Sequence, residues 1–190
     1  MIEVILAVLA VSAAAGIRSV LPLLTIGCMA ESDMWSKIPI LNNISPQILL
    51  GVLVSGSVIE LLASKNRVGI RISQLIELVL SPLVGGLLGI AIARTTDLSD
   101  GIILLLGVIS GLLSFVLQLV QIGWFYRQPK LPLWAVFAQD FLCVILVIFA
   151  INAPQQGGII ALMLLWLAIR SASEWRELTR SSVRSKIKQS

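Results

Sequence analysis

Residues 4–30 read VILAVLAVSAAAGIRSVLPLLTIGCMA, and across those positions Arg18 carries the only charge. About 20 apolar residues suffice for a helix to cross the roughly 30 Å hydrocarbon layer of a bilayer, and this stretch is longer. It also lacks the polar stripe that a surface helix of a soluble domain needs. The small residues before Pro22 resemble the end of a secretory signal, but the stretch has no basic leader and carries Glu3 instead. It is therefore read as a retained first membrane span. One arginine between Gly16 and Pro22 is then the feature to explain.

The rest of the chain follows the same pattern. Of 190 residues, 57% are hydrophobic and 13% charged, against about a quarter charged in soluble domains; mean hydropathy is +0.99. Six apolar spans can be counted: Glu3 to Cys28, Pro46 to Ser64, Ile72 to Arg94, Gly101 to Trp124, Pro132 to Ile151, and a last one ending near Arg170. The predicted fold is all-α, a polytopic membrane helix bundle over residues 1–172 with a basic cytoplasmic tail over 173–190. Pro22 and Pro82 lie inside spans one and three, where each removes a backbone donor. Those spans are expected to be kinked or broken, at Gly16 and Pro22 in one and at Pro82, Gly85 and Gly86 in the other.

Charge placement sets the expected orientation. Lys65, Arg67, Arg71, Arg127, Lys130, Arg170, Arg176, Arg180, Arg184, Lys186 and Lys188 fall on one side of a six-span arrangement, leaving Lys37 and Arg94 on the other. The excess of Lys and Arg in cytoplasmic loops then predicts both ends of the bundle inside, in a bacterial inner membrane. Trp124, Tyr126, Trp134 and Trp175 would mark the inner boundary and Trp35 the outer one, while Trp166 is assigned to packing. The basic tail suits anionic lipid headgroups rather than nucleic acid.

Several chemistries are absent from this composition. There is no histidine, which removes the usual general base near neutral pH. Cys28 and Cys143 have no metal-type spacing and are read as small buried hydrophobes. No nucleophile stands beside a base and no phosphate-binding loop is present. The expectation is a protein that is not an enzyme and holds no metal or cofactor.

What remains is polar chemistry inside the membrane. Arg18 would sit about 22 Å along span one, where an isolated cation is expensive. Two acids are expected at suitable depth, Glu60 in span two and Asp140 in span five, with Gln139 beside Asp140 and Gln118 and Gln121 in span four. Glu77 is placed near the inner end of span three, facing headgroups or the basic loop. The expectation is an inward-opening centre in which Arg18 pairs with Asp140 or Glu60. Small residues four apart, namely Ser12/Gly16, Gly51/Ser55, Gly85/Gly89/Ala93 and Gly107/Gly111, predict close helix contacts within the bundle, with homo-oligomerisation through one such face as the alternative. Each half of the chain places one acid in its second span, which suggests two three-span units of opposite orientation.

The segments AAAGIR, VIELLASK, LSPLVGGLLG and AQDFLCVILVIFAINAP resemble a bacterial integral membrane family, domain of unknown function 4126. The resemblance implies that Gly16, Arg18, Glu60, Pro82, Gly86 and Asp140 match the family pattern. It supports the helical membrane fold and assigns no activity. The expected function is passage of a small solute or ion through the charged centre, as a transporter or channel. The alternative is a non-catalytic structural or assembly subunit of a larger membrane complex.

Overall fold

The computed structural model of the chain describes residues 1–29, 46–63, 67–96, 98–125 and 133–187. Among them are seven helices and no strand: α1 (Ile2–Ile17), α2 (Val20–Met29), α3 (Pro46–Ala63), α4 (Arg67–Ala93), α5 (Asp100–Phe125), α6 (Leu133–Asn152) and α7 (Pro154–Ile187). Two are long and apolar enough to cross a membrane by length and composition, over Gln74–Ala93 and Asp100–Trp124.

The opening stretch forms two helices. α1 stops at Ile17, and Arg18 adopts an extended backbone with φ −144° and ψ 132° while its N–H still donates to the Ala14 carbonyl at 3.0 Å. Pro22 is the cause. In a continuous helix it would sit four residues after Arg18, where it offers no N–H and its ring collides with the Arg18 carbonyl. Within the first turn of α2 the same proline is tolerated. In α4, by contrast, helix continues unbroken through Pro82, and Gly85 and Gly86 serve packing rather than bending. A β-carbon at Gly85 would lie 2.7 Å from Ser114 Cβ, and one at Gly86 would lie 3.4 Å from the Gly107 carbonyl oxygen.

α1 is the shaft of the bundle. From Ala10 to Ile17 every residue is buried, enclosed by α4, α5, α6 and α7. Alanine, serine and glycine on this helix let the neighbours approach its backbone, the close-approach mode available to helices in lipid. The contacts are polar as well as close. Ser12 and Ser110 share a hydrogen bond between hydroxyls at 2.6 Å, Ser110 Oγ reaches the Gly85 carbonyl at 2.5 Å, and Ser114 Oγ donates to the Ser12 carbonyl at 2.8 Å. Gly16 makes room for this, since a β-carbon there would lie 2.8 Å from Leu117 Cβ. The stripe on α3 behaves differently: Gly51 has open space around it and Ser55 is exposed. The α3 stripe therefore takes no part in internal packing.

These contacts also fix helix direction, and they correct the expected topology. Along α1, Ser12, Gly16 and Ile17 meet Ser110, Ser114 and Gln121 in rising order, so α1 runs parallel to α5. It runs antiparallel to α4, with Ser12 linked through Ser110 to Gly85, Ala15 near Ser81 and Ser19 near Glu77. At its start, Gln155 Nε2 donates to Glu3 Oε1 at 3.4 Å, and Leu6 packs where a β-carbon of Gly158 would be. α1 therefore begins at the end of the bundle where α4 stops, α5 and α7 begin, and α6 stops. α7, about 51 Å long at 1.5 Å per residue, begins at that same end. The sequence expectation had span one rising from the opposite end, parallel to spans three and five. With α1 and α5 parallel, two three-span halves of opposite orientation are excluded too. The reason is packing: the contacts of Ser12, Ala15, Ile17 and Ser19 with α4 and α5 set the direction of α1.

The outer face is apolar, and a few polar side chains stand among the apolar residues of the interior. Leu75, Val79 and Leu83 on α4, Leu104, Leu105 and Leu112 on α5, and Phe137 and Phe141 on α6 are exposed, while Ser12, Ser81, Ser110, Ser114, Glu77 and Gln118 are buried. Trp166, expected to pack internally, is exposed with the Arg170 guanidinium 5.5 Å from its ring centre. Cys143 is buried as expected, whereas Cys28 is exposed.

Candidate polar centre

The break after α1 leaves helix-end carbonyls inside the bundle, where no water can satisfy them. Side chains of the neighbours do so. Ser81 Oγ donates to the Ala15 carbonyl at 3.1 Å, Gln121 Nε2 to the Ile17 carbonyl at 3.2 Å, and Cys143 Sγ to the Ala14 carbonyl at 3.5 Å. Arg18 follows directly, so a cation sits at the carbonyl end of α1, where the helix dipole favours it.

The guanidinium bridges two helices. Arg18 Nε donates to Asp140 Oδ1 on α6 at 2.8 Å, and Nη1 to Glu77 Oε1 on α4 at 3.5 Å. Glu77 is held further by Gln118 Nε2 of α5, 2.9 Å from Oε2, and its backbone carbonyl accepts from Ser19 Oγ at 3.4 Å. Arg18, Ser19, Glu77 and Gln118 are all buried. The Asp140 side chain retains 20% of its exposure and forms the open edge of the cluster. Among the described residues one atom is left over: Gln118 Oε1 is buried with no hydrogen-bond partner. An unsatisfied buried acceptor costs about 1–3 kcal/mol.

The sequence-predicted residues divide accordingly. Arg18 and Asp140 meet directly, Gln118 joins through Glu77, and Gln121 caps the break. Gln139, beside Asp140, is half-buried and forms no hydrogen bond among the described residues. The Glu60 side chain lies outside the described residues. Glu77, expected at the headgroups, is instead central. α4 starts at Arg67 rather than near Ile72, which moves Glu77 about 15 Å into its helix, close to the roughly 10 Å at which Asp140 and Gln118 stand from the same end of theirs. Counting inward from the basic loop would have found it.

The chain matches the family described as Domain of unknown function (DUF4126) over residues 5–174. The chain belongs to the DUF4126 family. The match spans α2 to α6 entire and most of α1, so the broken first helix and the Arg18–Asp140 pair both fall inside the DUF4126 region. No curated protein and no solved structure matches the DUF4126 chain.

Proposed function

We propose that this DUF4126 protein is a multi-pass membrane protein that passes a small solute or ion through the centre formed by Arg18, Glu77, Gln118 and Asp140. The observation that carries this reading is a buried charged cluster at a helix break, inside a bundle whose outer face is apolar. Ionisable groups at membrane depth are expensive and are retained at solute and ion pathways. Broken helices that end at mid-bundle are the way transporters bring backbone carbonyls to a substrate site.

In this reading α3, α4, α5, α6 and α7 cross the bilayer, and the end bearing Arg67 and the tail is cytoplasmic, by the basic-residue bias. α1 enters from the other face and stops at Arg18, so α1 and α2 together form a re-entrant pair buried in protein, as the bilayer requires of non-helical backbone. The basic tail lies against anionic headgroups of a bacterial inner membrane. Single cysteines in a cysteine-free background test the orientation. Glu3→Cys is expected to react with an impermeant thiol reagent from outside intact cells and Lys188→Cys only after lysis. Both reacting on the same side overturns the re-entrant arrangement.

Transport is tested by reconstitution into vesicles. Glu77→Gln and Asp140→Asn are each expected to lower solute or ion flux by about tenfold or more, the scale of one lost charge-assisted contact at about 1.5–3 kcal/mol. A second reading is favoured by the serine ladder joining α1, α4 and α5, which is closely packed and needs no pathway: a non-catalytic structural or assembly subunit. Wild-type protein that carries no flux, and both variants unchanged in fold, would favour that reading.

A further inference from the structure

Trp166 and Arg170 lie outside the polar centre, on the outward side of α7. Gly157, Gly158, Ala161 and Ala168 are buried and give that helix its inner face. Ile159, Leu162, Met163 and Trp166 are exposed, by 57%, 47%, 60% and 56%, and Arg170 is exposed as well. Their spacing puts these five on one side of the helix, so an apolar row ends at an aromatic ring and a cation. The guanidinium carbon is 5.5 Å from the centre of the Trp166 ring, within cation–π range. Glu3 bonds Gln155 and Leu6 meets Gly158, a constant offset of 152 residues between α1 and α7. Continued along both helices, that offset sets Arg170 level with Arg18.

Depth decides what such a cation meets. Glu3, Asp100, Asn152 and Gln155 share the outer end of the bundle, where Pro154 starts α7. Arg170 is then about 24 Å along α7, about 6 Å short of the inner edge of a roughly 30 Å hydrocarbon layer. An arginine side chain can span that distance and carry its charge to the headgroups. We propose that Trp166 and Arg170 bind the phosphate of an anionic phospholipid of the inner leaflet, with an acyl chain along Met163, Leu162 and Ile159. The inference rests on the membrane reading and is independent of transport. Charge complementarity selects the occupant: a planar guanidinium stacks on an aromatic face and presents N–H donors in the fork that suits phosphate. A partner helix would have to bring an acid to this depth, whereas the headgroup phosphate is already there.

The chain has five tryptophans, and replacing the other four by phenylalanine leaves Trp166 as the reporter. The difference between wild type and Trp166→Phe reads the same contact with the native tryptophans in place. The full chain is reconstituted in vesicles of phosphatidylcholine and phosphatidylglycerol in equal parts, with brominated acyl chains on one lipid or the other. Brominated phosphatidylglycerol is expected to quench Trp166 more strongly, with an apparent preference of about fivefold, the strength of one basic residue at an anionic surface. Arg170→Gln should bring the preference close to one, and Arg170→Lys, which keeps the charge, should retain part of it. Arg184→Gln with Lys186→Gln should leave it unchanged, because Arg184 is about 21 Å further along the helix, beyond the roughly 8 Å Debye length. Equal quenching by the two lipids, or a preference that survives Arg170→Gln, removes the site and keeps the membrane reading. Quenching by neither lipid in protein that floats with the vesicles means that protein covers this face, and overturns the site. Protein that does not float with the vesicles overturns the site together with the membrane reading.

Discussion

Arg18→Leu is expected to destabilise the bundle by about 3–5 kcal/mol, the scale measured when one partner of a buried ion pair is removed. The leucine fills most of the volume, so the loss is electrostatic: Asp140 and Glu77 keep their places with no guanidinium between them. In a chain of this size each kcal/mol moves Tm by about 2–4 °C, so a fall on the order of 10 °C is expected in detergent, with reduced yield. Combining Arg18→Leu with Asp140→Asn should recover part of it, and adding Glu77→Gln should recover more, because each neutralises a charge that the first change stranded. The measurement is a Tm series across the single, double and triple variants. A double or triple variant no better than Arg18→Leu alone would show that the pairing contributes nothing.

Gly111→Val is expected to be comparably damaging for a steric reason. A β-carbon at Gly111 would lie 2.8 Å from the Pro82 carbonyl oxygen, a backbone atom of α4 that cannot rotate away. α4 and α5 would have to separate, which also stretches the 2.5 Å bond from Ser110 Oγ to the Gly85 carbonyl. Overpacking of this kind typically costs about 1–3 kcal/mol and occasionally more, and the branched side chain places the site toward the upper end. Gly111→Ala should show a smaller loss of the same sign. Gly51→Ala supplies the contrast: nothing lies within 4 Å of its β-position, so only helix propensity acts, and stability should hold or rise by about 0.5–1 kcal/mol. Equal Tm for the Gly111 and Gly51 variants would mean that close backbone approach does not hold α4 to α5.

The two glycine stripes show where sequence reading works and where it stops. Gly107/Gly111 and Gly51/Ser55 have the same spacing and the same apolar surroundings, yet the first lies against the backbone of α4 and the second faces outward. Spacing says that a helix offers a smooth face, and it does not say whether another helix accepts it. Glu77 carries the same lesson for charge. Its residue type marked it as ionisable, but its role depended on where α4 begins and on which residues of α5 and of the α1–α2 break reach the same depth.

Read alone, the chain already indicated that it is all-helical and divided into apolar segments, that its first segment is kinked or broken near Gly16 and Pro22, and that Arg18 needs acidic partners. Each of these follows from chemistry within a few neighbouring residues, where covalent geometry and solvation act locally. Only the tertiary structure decided that α1 runs parallel to α5 and α7, that Glu77 stands beside Asp140 on the guanidinium, and that one amide oxygen of Gln118 is left unfilled. Those depend on how the surfaces of separate helices fit together, which no short stretch of sequence specifies.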